Sequence, residues 1–260
     1  MINLFQFFIL LLALHILLVS IACLLAQKMQ SMVIILKFFG LIPAIFAWTA
    51  MTIQYLGDVG SVSERQLLAN CIISLWSVNL VFYNRKLKEA VAGYLINKEL
   101  IILGNSNLNK IKTLIIFSCS QVIVFFPIIS LNYLSGNILL NSLDLIGLVI
   151  CAVGLLMNAL ASMQLSSYKV ISLKPMAYRK GLWGKTRHPD LLGHVICWWG
   201  IYLLAFSSTG GAWSILGTII FSFLYLKVFA YKIEDNLLQK LSDYESYQLS
   251  TPRILPNIKT

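Results

Sequence analysis

The chain has 260 residues, of which 58% are hydrophobic and 12% charged, with a formal net charge of +10 at pH 7 and a mean hydropathy of +0.81. A soluble domain of this length carries about twice that share of charge, so an ordinary water-soluble enzyme is excluded. Nucleic acid is excluded as the reason for the basic surplus, because the Lys and Arg lie between apolar spans, where membrane topology accounts for them.

The pattern predicts an all-α, multi-pass integral membrane bundle, a single domain over 1–260. Its parts are three first spans in 1–83, two central spans in 84–163, and a motif loop, two spans and an amphipathic tail in 164–260. Seven spans are drawn, at Asn3–Leu25, Met32–Tyr55, Gln66–Tyr83, Thr113–Asn132, Leu139–Met163, Leu191–Ser207 and Ala212–Ala230. Most reach the roughly 17–25 residues that a bilayer demands. The first lacks a basic leader and is too long for the core of a secretory signal, so it is read as a retained span.

Only Arg65, of the 20 Lys and Arg, falls on the far side of this arrangement. The positive-inside rule then sets the N-terminus outside, with the motif loop and the C-terminus in the cytoplasm. A bacterial inner membrane is the expected host.

Within the spans, Gly40, Pro43, Pro127, Gly147 and Gly154 read as kinks and helix contacts, and His15 as a packing residue. Gln54, Gln121, Asn158 and Gln164 are either glue between helices or the lining of a pocket. The five cysteines stand alone, without disulfide or metal spacing. After the last span, Ile233, Leu237, Leu238, Leu241 and Tyr244 recur at helical spacing. With Glu234, Asp235, Lys240 and Asp243 as a polar face, they predict a short helix lying on the membrane surface, ended by Pro252 and Pro256.

One stretch breaks the apolar pattern. GLWGKTRHPD at 181–190 runs on through Leu191, Leu192, Gly193 and His194. Ionisable side chains beside hydrocarbon are a functional hypothesis by default. Arg187 can form a forked pair with phosphate or carboxylate, and His188 adds a second polar contact. The helix start after Pro189 suits an anion, Gly193 permits close approach, and Trp183 offers a face for stacking a planar ring. These parts suit an anionic cofactor with an aromatic base. Against them, Asp190 reads as a simple N-cap whose charge opposes a phosphate. A metal held by Asp190 and His194 lacks a third ligand.

The stretch resembles the G-L-W-x-x-S-R-H-P-N-Y-x-G-E signature of the DUF1295 branch of the steroid 5-alpha-reductase C-terminal superfamily. Leu75, Trp76 and Leu80 to Lys86 are similar to its L-W-x-x-R-L segment, and Gln121 through Pro127 to its Q-x-x-x-x-x-P span. Ala161 to Gln164 resembles A-D-x-Q, and Trp198, Trp199 and Gly200 resemble W-W-G. The tail residues Glu234, Leu237, Tyr244, Tyr247, Thr251, Ile254 and Pro256 extend the likeness.

The resemblance implies a membrane enzyme that binds NADPH from the cytoplasm and reduces a carbon–carbon double bond of a lipid-like substrate. It implies that Arg187 and His188 meet cofactor phosphates, that Gly181, Trp183 and Gly193 shape the pocket, and that Glu234 and Tyr244 close it. The chain departs from the pattern at Asp190 and Leu191 for Asn-Tyr, at His194 for Glu and at Ser162 for Asp.

A rival resemblance is to the isoprenylcysteine and phospholipid methyltransferases, through R-H-P-x-x-x-G, Glu234-Asp235, Tyr244, Tyr247 and Pro252-Arg253. It implies S-adenosylmethionine in place of NADPH. A non-catalytic lipid-binding protein on the same fold is the third reading. The expected partners are the bilayer and a hydrophobic small molecule or lipid, and the sequence leaves the oligomeric state and the catalytic acid open.

Overall fold

The computed structural model describes residues 4–28, 33–57, 62–87, 125–133, 139–167, 176–208 and 210–254. Among them every regular element is a helix. The long helices are α1 (Leu4–Lys28), α2 (Val33–Gly57) and α3 (Glu64–Leu87), then α4 at 125–133 and α5 (Ser142–Ser167). A single turn, α6 (Leu182–Lys185), precedes α7 (Pro189–Phe206). A 3-10 turn (Gly211–Ser214) leads into α8 (Ile215–Phe223), which continues through a π turn (Leu224–Phe229) into α9 (Ala230–Lys240); α10 (Tyr244–Ser250) follows.

Five segments are long and apolar enough to cross a membrane: Phe5–Ala22, Gly40–Gly57, Ser142–Ser167, Pro189–Phe206 and Gly211–Gln239. The chain is therefore read as an integral membrane protein. Helix α3 matches these in length but carries Arg65, Gln66, Asn70, Ser74, Ser77 and Asn79 along its course. Most of the expected fourth span, with Gln121, lies outside the described residues, as do most of the basic loop at 84–112 and Pro256.

The span beginning at Pro189 is the axis of the bundle. It is 72% buried, against 28–33% for the other four. Around it, α1 shows how a lipid-facing helix is written. Phe7, Leu11, His15, Val19 and Ala22 face inward, while Phe5, Ile9, Ile16, Leu17 and Leu24 face outward. Both faces are apolar because lipid, not water, is the outer solvent. His15 packs edge-on to Phe125 at 4.8 Å between ring centroids, which is the packing role expected of it.

The tightest joint is between α5 and α7. Helix α5 buries Asp144, Gly147, Cys151, Gly154, Asn158 and Ala161, a stripe of period three and four. Helix α7 answers with Gly193, Cys197 and Gly200. A Cβ on Gly154 would fall on the backbone nitrogen of Cys197 and within 2.7 Å of the Gly193 carbonyl; one on Gly200 would lie 2.6 Å from the Gly147 carbonyl. The helices run antiparallel, with Asn158 beside Asp190 and His194 at one end and Asn141 beside Ser207 at the other. Small residues allow this approach, and the gain is close van der Waals contact over the whole joint.

At the Ser207 end sits a sealed ion pair. Arg65 donates from Nε to Asp144 Oδ1 at 2.8 Å and from Nη2 to Oδ2 at 2.7 Å, and both side chains are 0% exposed. Next to it, Asn70 and Asn132 exchange amide hydrogen bonds across α3 and α4, and Gln66 donates to the Asn132 carbonyl.

The tail differs from the single amphipathic helix expected. The chain turns at Leu241–Asp243 and starts a second helix at Tyr244. Glu234, expected on a solvated polar face, is 2% exposed, because basic side chains of the motif loop and the tail enclose it.

Candidate functional site

The motif loop is pinned to the end of α5 from one side. Gly181 has φ +61°, a conformation that L side chains rarely adopt, and a Cβ there would strike the Gln164 amide. Gln164 Oε1 accepts the Leu182 N–H at 2.9 Å. Trp183 Nε1 donates to the Ala161 carbonyl at 3.0 Å, and its ring is buried. The indole expected to stack on a ligand is thus packed on the last turns of α5.

From the other side the tail closes over the loop. The Arg187 N–H donates to the Pro252 carbonyl at 3.0 Å, Thr186 Oγ1 donates to the Arg253 carbonyl at 3.0 Å, and the Tyr247 hydroxyl donates to the Trp183 carbonyl. Arg179 meets Asp243 at 2.9 Å and lies over the Tyr247 ring at 5.4 Å.

Glu234 is the hub of the buried charges. Its Oε1 accepts from Arg187 Nε at 2.7 Å and meets His188 Nε2 at 3.2 Å. Its Oε2 accepts from Gln248 Nε2 at 3.2 Å and Arg253 Nε at 2.9 Å. Arg187 Nη1 donates to the Gln248 and Thr251 carbonyls, both at 2.7 Å. Two guanidiniums and an imidazole thus share one carboxylate. Tyr244 lies close enough to feel these charges. Burial pushes its phenol up, and Glu234 adds to the rise while Arg187 opposes it. The Tyr247 phenol is raised mainly by burial, with Arg187 opposing.

A second group forms one turn deeper. The Asn158 amide donates to the Asp190 carbonyl at 2.9 Å and lies 3.0 Å from His194 Nε2. Both amide hydrogens are then used, and turning the amide over would set two carbonyl oxygens against each other. His194 Nε2 is therefore the acceptor, and a neutral His194 carries its proton on Nδ1. His194 packs edge-on to Trp76 at 5.5 Å and to Tyr225 at 5.7 Å.

The sequence-predicted residues therefore fall into three sets. Arg187, His188, Glu234 and Tyr244 converge. Asp190, Gly193 and His194 belong to the deeper group around Asn158, with Gly193 serving the close approach of α5. Gly181 and Trp183 anchor the loop. The N-cap position of α7 is His188, not Asp190, which lies at the second position of the helix.

Sequence reasoning passed over Gln248 and Asp144, cited Thr251 only for the family likeness, and left Asn158 undecided. For Asn158 the signal was present, since it sits one step further along the Gly147–Cys151–Gly154 stripe. The carbonyls of Gln248 and Thr251 have no side-chain signature.

A family model for DUF1295, described as a protein of unknown function, matches residues 22–251. The chain belongs to the DUF1295 family. The match takes in the deeper group, the Glu234 hub apart from Arg253, and most of the tail that closes them. Comparison with curated proteins and with solved structures finds no match.

Proposed function

We propose that this DUF1295 protein is a membrane-embedded reductase, taking NADPH at the motif end and reducing a carbon–carbon double bond of a lipid-like substrate held among the helices. The observation that carries the reading is the hub at Glu234, where two guanidiniums and an imidazole meet a single carboxylate. Two guanidiniums against one carboxylate leave a surplus of positive charge, which favours an anionic partner. Exposed Lys180 and Lys185 border the same loop.

The residues fit NADPH in a changed arrangement. Nε and Nη1 of Arg187 are committed to Glu234 and the tail carbonyls, so Arg187 chiefly positions the tail. The phosphates are assigned to Arg253, whose side chain is 36% exposed, and to Lys180 and Lys185. NADPH would supply the hydride; the chain supplies placement, charge and exclusion of water.

The orientation with this end in the cytoplasm, and a total of seven spans, belong to the same proposal. They are supported by the exposed basic residues here and by the neutralisation of Arg65 at the opposite end. Asp190, buried and close enough to raise the phenols of Tyr244 and Tyr247, favours the second reading, an S-adenosylmethionine-dependent lipid methyltransferase, because a carboxylate among aromatic rings suits a cation.

Calorimetry on detergent-purified protein separates these readings. NADPH is expected to bind, and Arg253→Ala to weaken it about tenfold, the effect of one charge-assisted contact. Binding of S-adenosylmethionine and not NADPH would transfer the protein to methyl transfer. Binding of neither by folded protein would leave the non-catalytic reading.

A further inference from the structure

The outward face of the last span changes character above Phe223. Below that point Leu216, Ile219, Ile220 and Phe223 are exposed and apolar, as a lipid-facing helix requires. Above it the same face carries Lys227, Tyr231 and Asp235, spaced four residues apart and each exposed. None of these three makes a hydrogen bond or ion pair with the described residues. The π turn at Leu224–Phe229 joins the two parts. Its wider coil sets residues four apart nearly one above another, and Phe221 stacks on Tyr225 at 4.1 Å there. Phe223 and Lys227 share that register.

Neighbouring rings fix the depth of these side chains. The descending α7 and the rising last span meet at Trp198 with Phe221, 5.2 Å apart, and at His194 with Tyr225, 5.7 Å apart. At equal rise, Pro189 is then level with about Ala230. Helix α7 has 18 residues, a length of roughly 27 Å, close to the thickness of the hydrocarbon layer. Lys227 therefore roots just inside that layer, Tyr231 stands at its edge, and Asp235 lies about 7 Å beyond it. The long stem of a lysine so placed carries its ammonium up to the headgroups.

Read outward, the face presents an apolar stripe, a cation, a phenol and a carboxylate. A phospholipid with an amine headgroup presents the complement: acyl chain, phosphate, and an ammonium furthest out. We propose that this face seats such a phospholipid, Lys227 and the Tyr231 hydroxyl donating to its phosphate and Asp235 accepting from its primary ammonium. The acyl chain runs along Phe223 towards Leu216. The site faces the bilayer rather than the Glu234 hub, so it stands whatever cofactor the protein takes.

Photocrosslinking in a bilayer tests it. Phosphatidylethanolamine with a diazirine in its acyl chain is a minor component of phosphatidylcholine nanodiscs that hold the full chain. Peptic fragments are mapped by mass spectrometry after illumination. Label is expected on the 216–223 stretch, and unlabelled phosphatidylethanolamine should displace it where further phosphatidylcholine, whose quaternary ammonium cannot donate, does not. Lys227→Gln and Asp235→Asn should each lower that labelling about two- to fivefold, the size of an ion pair that water reaches. A phosphatidylglycerol probe keeps the phosphate and lacks the amine, so it should respond to Lys227→Gln and hold its level in Asp235→Asn. Phosphatidylethanolamine labelling that either variant leaves unchanged would overturn the proposal, making Lys227 an ordinary snorkelling lysine and Asp235 a solvated one. So would a loss of both probes alike in Asp235→Asn, or no label on this stretch of the wild-type protein.

Discussion

Two buried Arg–carboxylate pairs mark opposite ends of this bundle, and they are built for different purposes. Arg65 and Asp144 meet fork to fork, one cation to one anion, with both side chains sealed at 0% exposure. Asp144 sits in the first turn of α5, where the helix field also favours a negative charge. Every feature ties α3 to α5 and leaves little net charge. Arg187 and Glu234 meet through one nitrogen and one oxygen, and the same carboxylate serves His188, Gln248 and a half-exposed Arg253. The first pair is closed in its charge. The second is overloaded with cations and reaches the surface, the condition under which an anion has a reason to bind.

The largest effect expected comes from breaking the closed pair. Asp144→Leu leaves Arg65 charged and unpaired in the interior, a loss of about 3–5 kcal/mol. Unfolding in mixed micelles reads it, and the double variant Arg65→Met with Asp144→Leu should regain most of the loss. If Asp144→Leu alone were as stable as wild type, the pair would not be the staple described here.

The joint between the two ends is next. Gly154→Leu pushes a side chain onto the backbone of Cys197, and a contact between two helix backbones cannot yield as a flexible side chain would. A loss of about 3 kcal/mol is expected, at the upper end of overpacking. Gly40→Ala provides the contrast. Its nearest neighbour is the Val81 methyl at 2.9 Å, so the loss should be smaller, about 1 kcal/mol.

The sequence made the helices legible because lipid writes them in one repeated instruction, long apolar runs ended by basic loops. It marked Gly147 and Gly154 as helix contacts as well, without naming α7 as the helix they meet. It did not reveal the closed pair, because nothing in the composition around Asp144 says that Arg65, some eighty residues earlier, folds onto it. The motif stood out from the apolar pattern, yet the role expected of Arg187 was read from its chemistry and the family likeness, without the path of the tail. A guanidinium suits a phosphate, a carboxylate or a row of carbonyls equally well, and only the path of the tail decides which it meets first. Glu234 shows the same limit. Helical spacing set it on a polar face with Asp235, and the charges of a loop some forty-six residues upstream drew it inside.

At the motif end, the bonds that close the tail should have modest and graded effects. Tyr247→Phe removes the hydroxyl that meets the Trp183 carbonyl and keeps the ring, so about 1 kcal/mol is expected, seen as faster trypsin cleavage of the tail. Arg179→Ala should do least. Its contacts are numerous, with Asp243, Ser246 Oγ and the Tyr247 ring. Its side chain is 37% exposed, however, and an ion pair that water can reach contributes under about 1 kcal/mol. The tail is held from below, by Arg187 and its two carbonyls, rather than from above. Trypsin digestion of Arg179→Ala should therefore release the tail at nearly the wild-type rate, with the lost cleavage site at 179 as an internal marker. Rapid release would invert that order, making the exposed clamp the true closure and the overloaded hub beneath it a consequence.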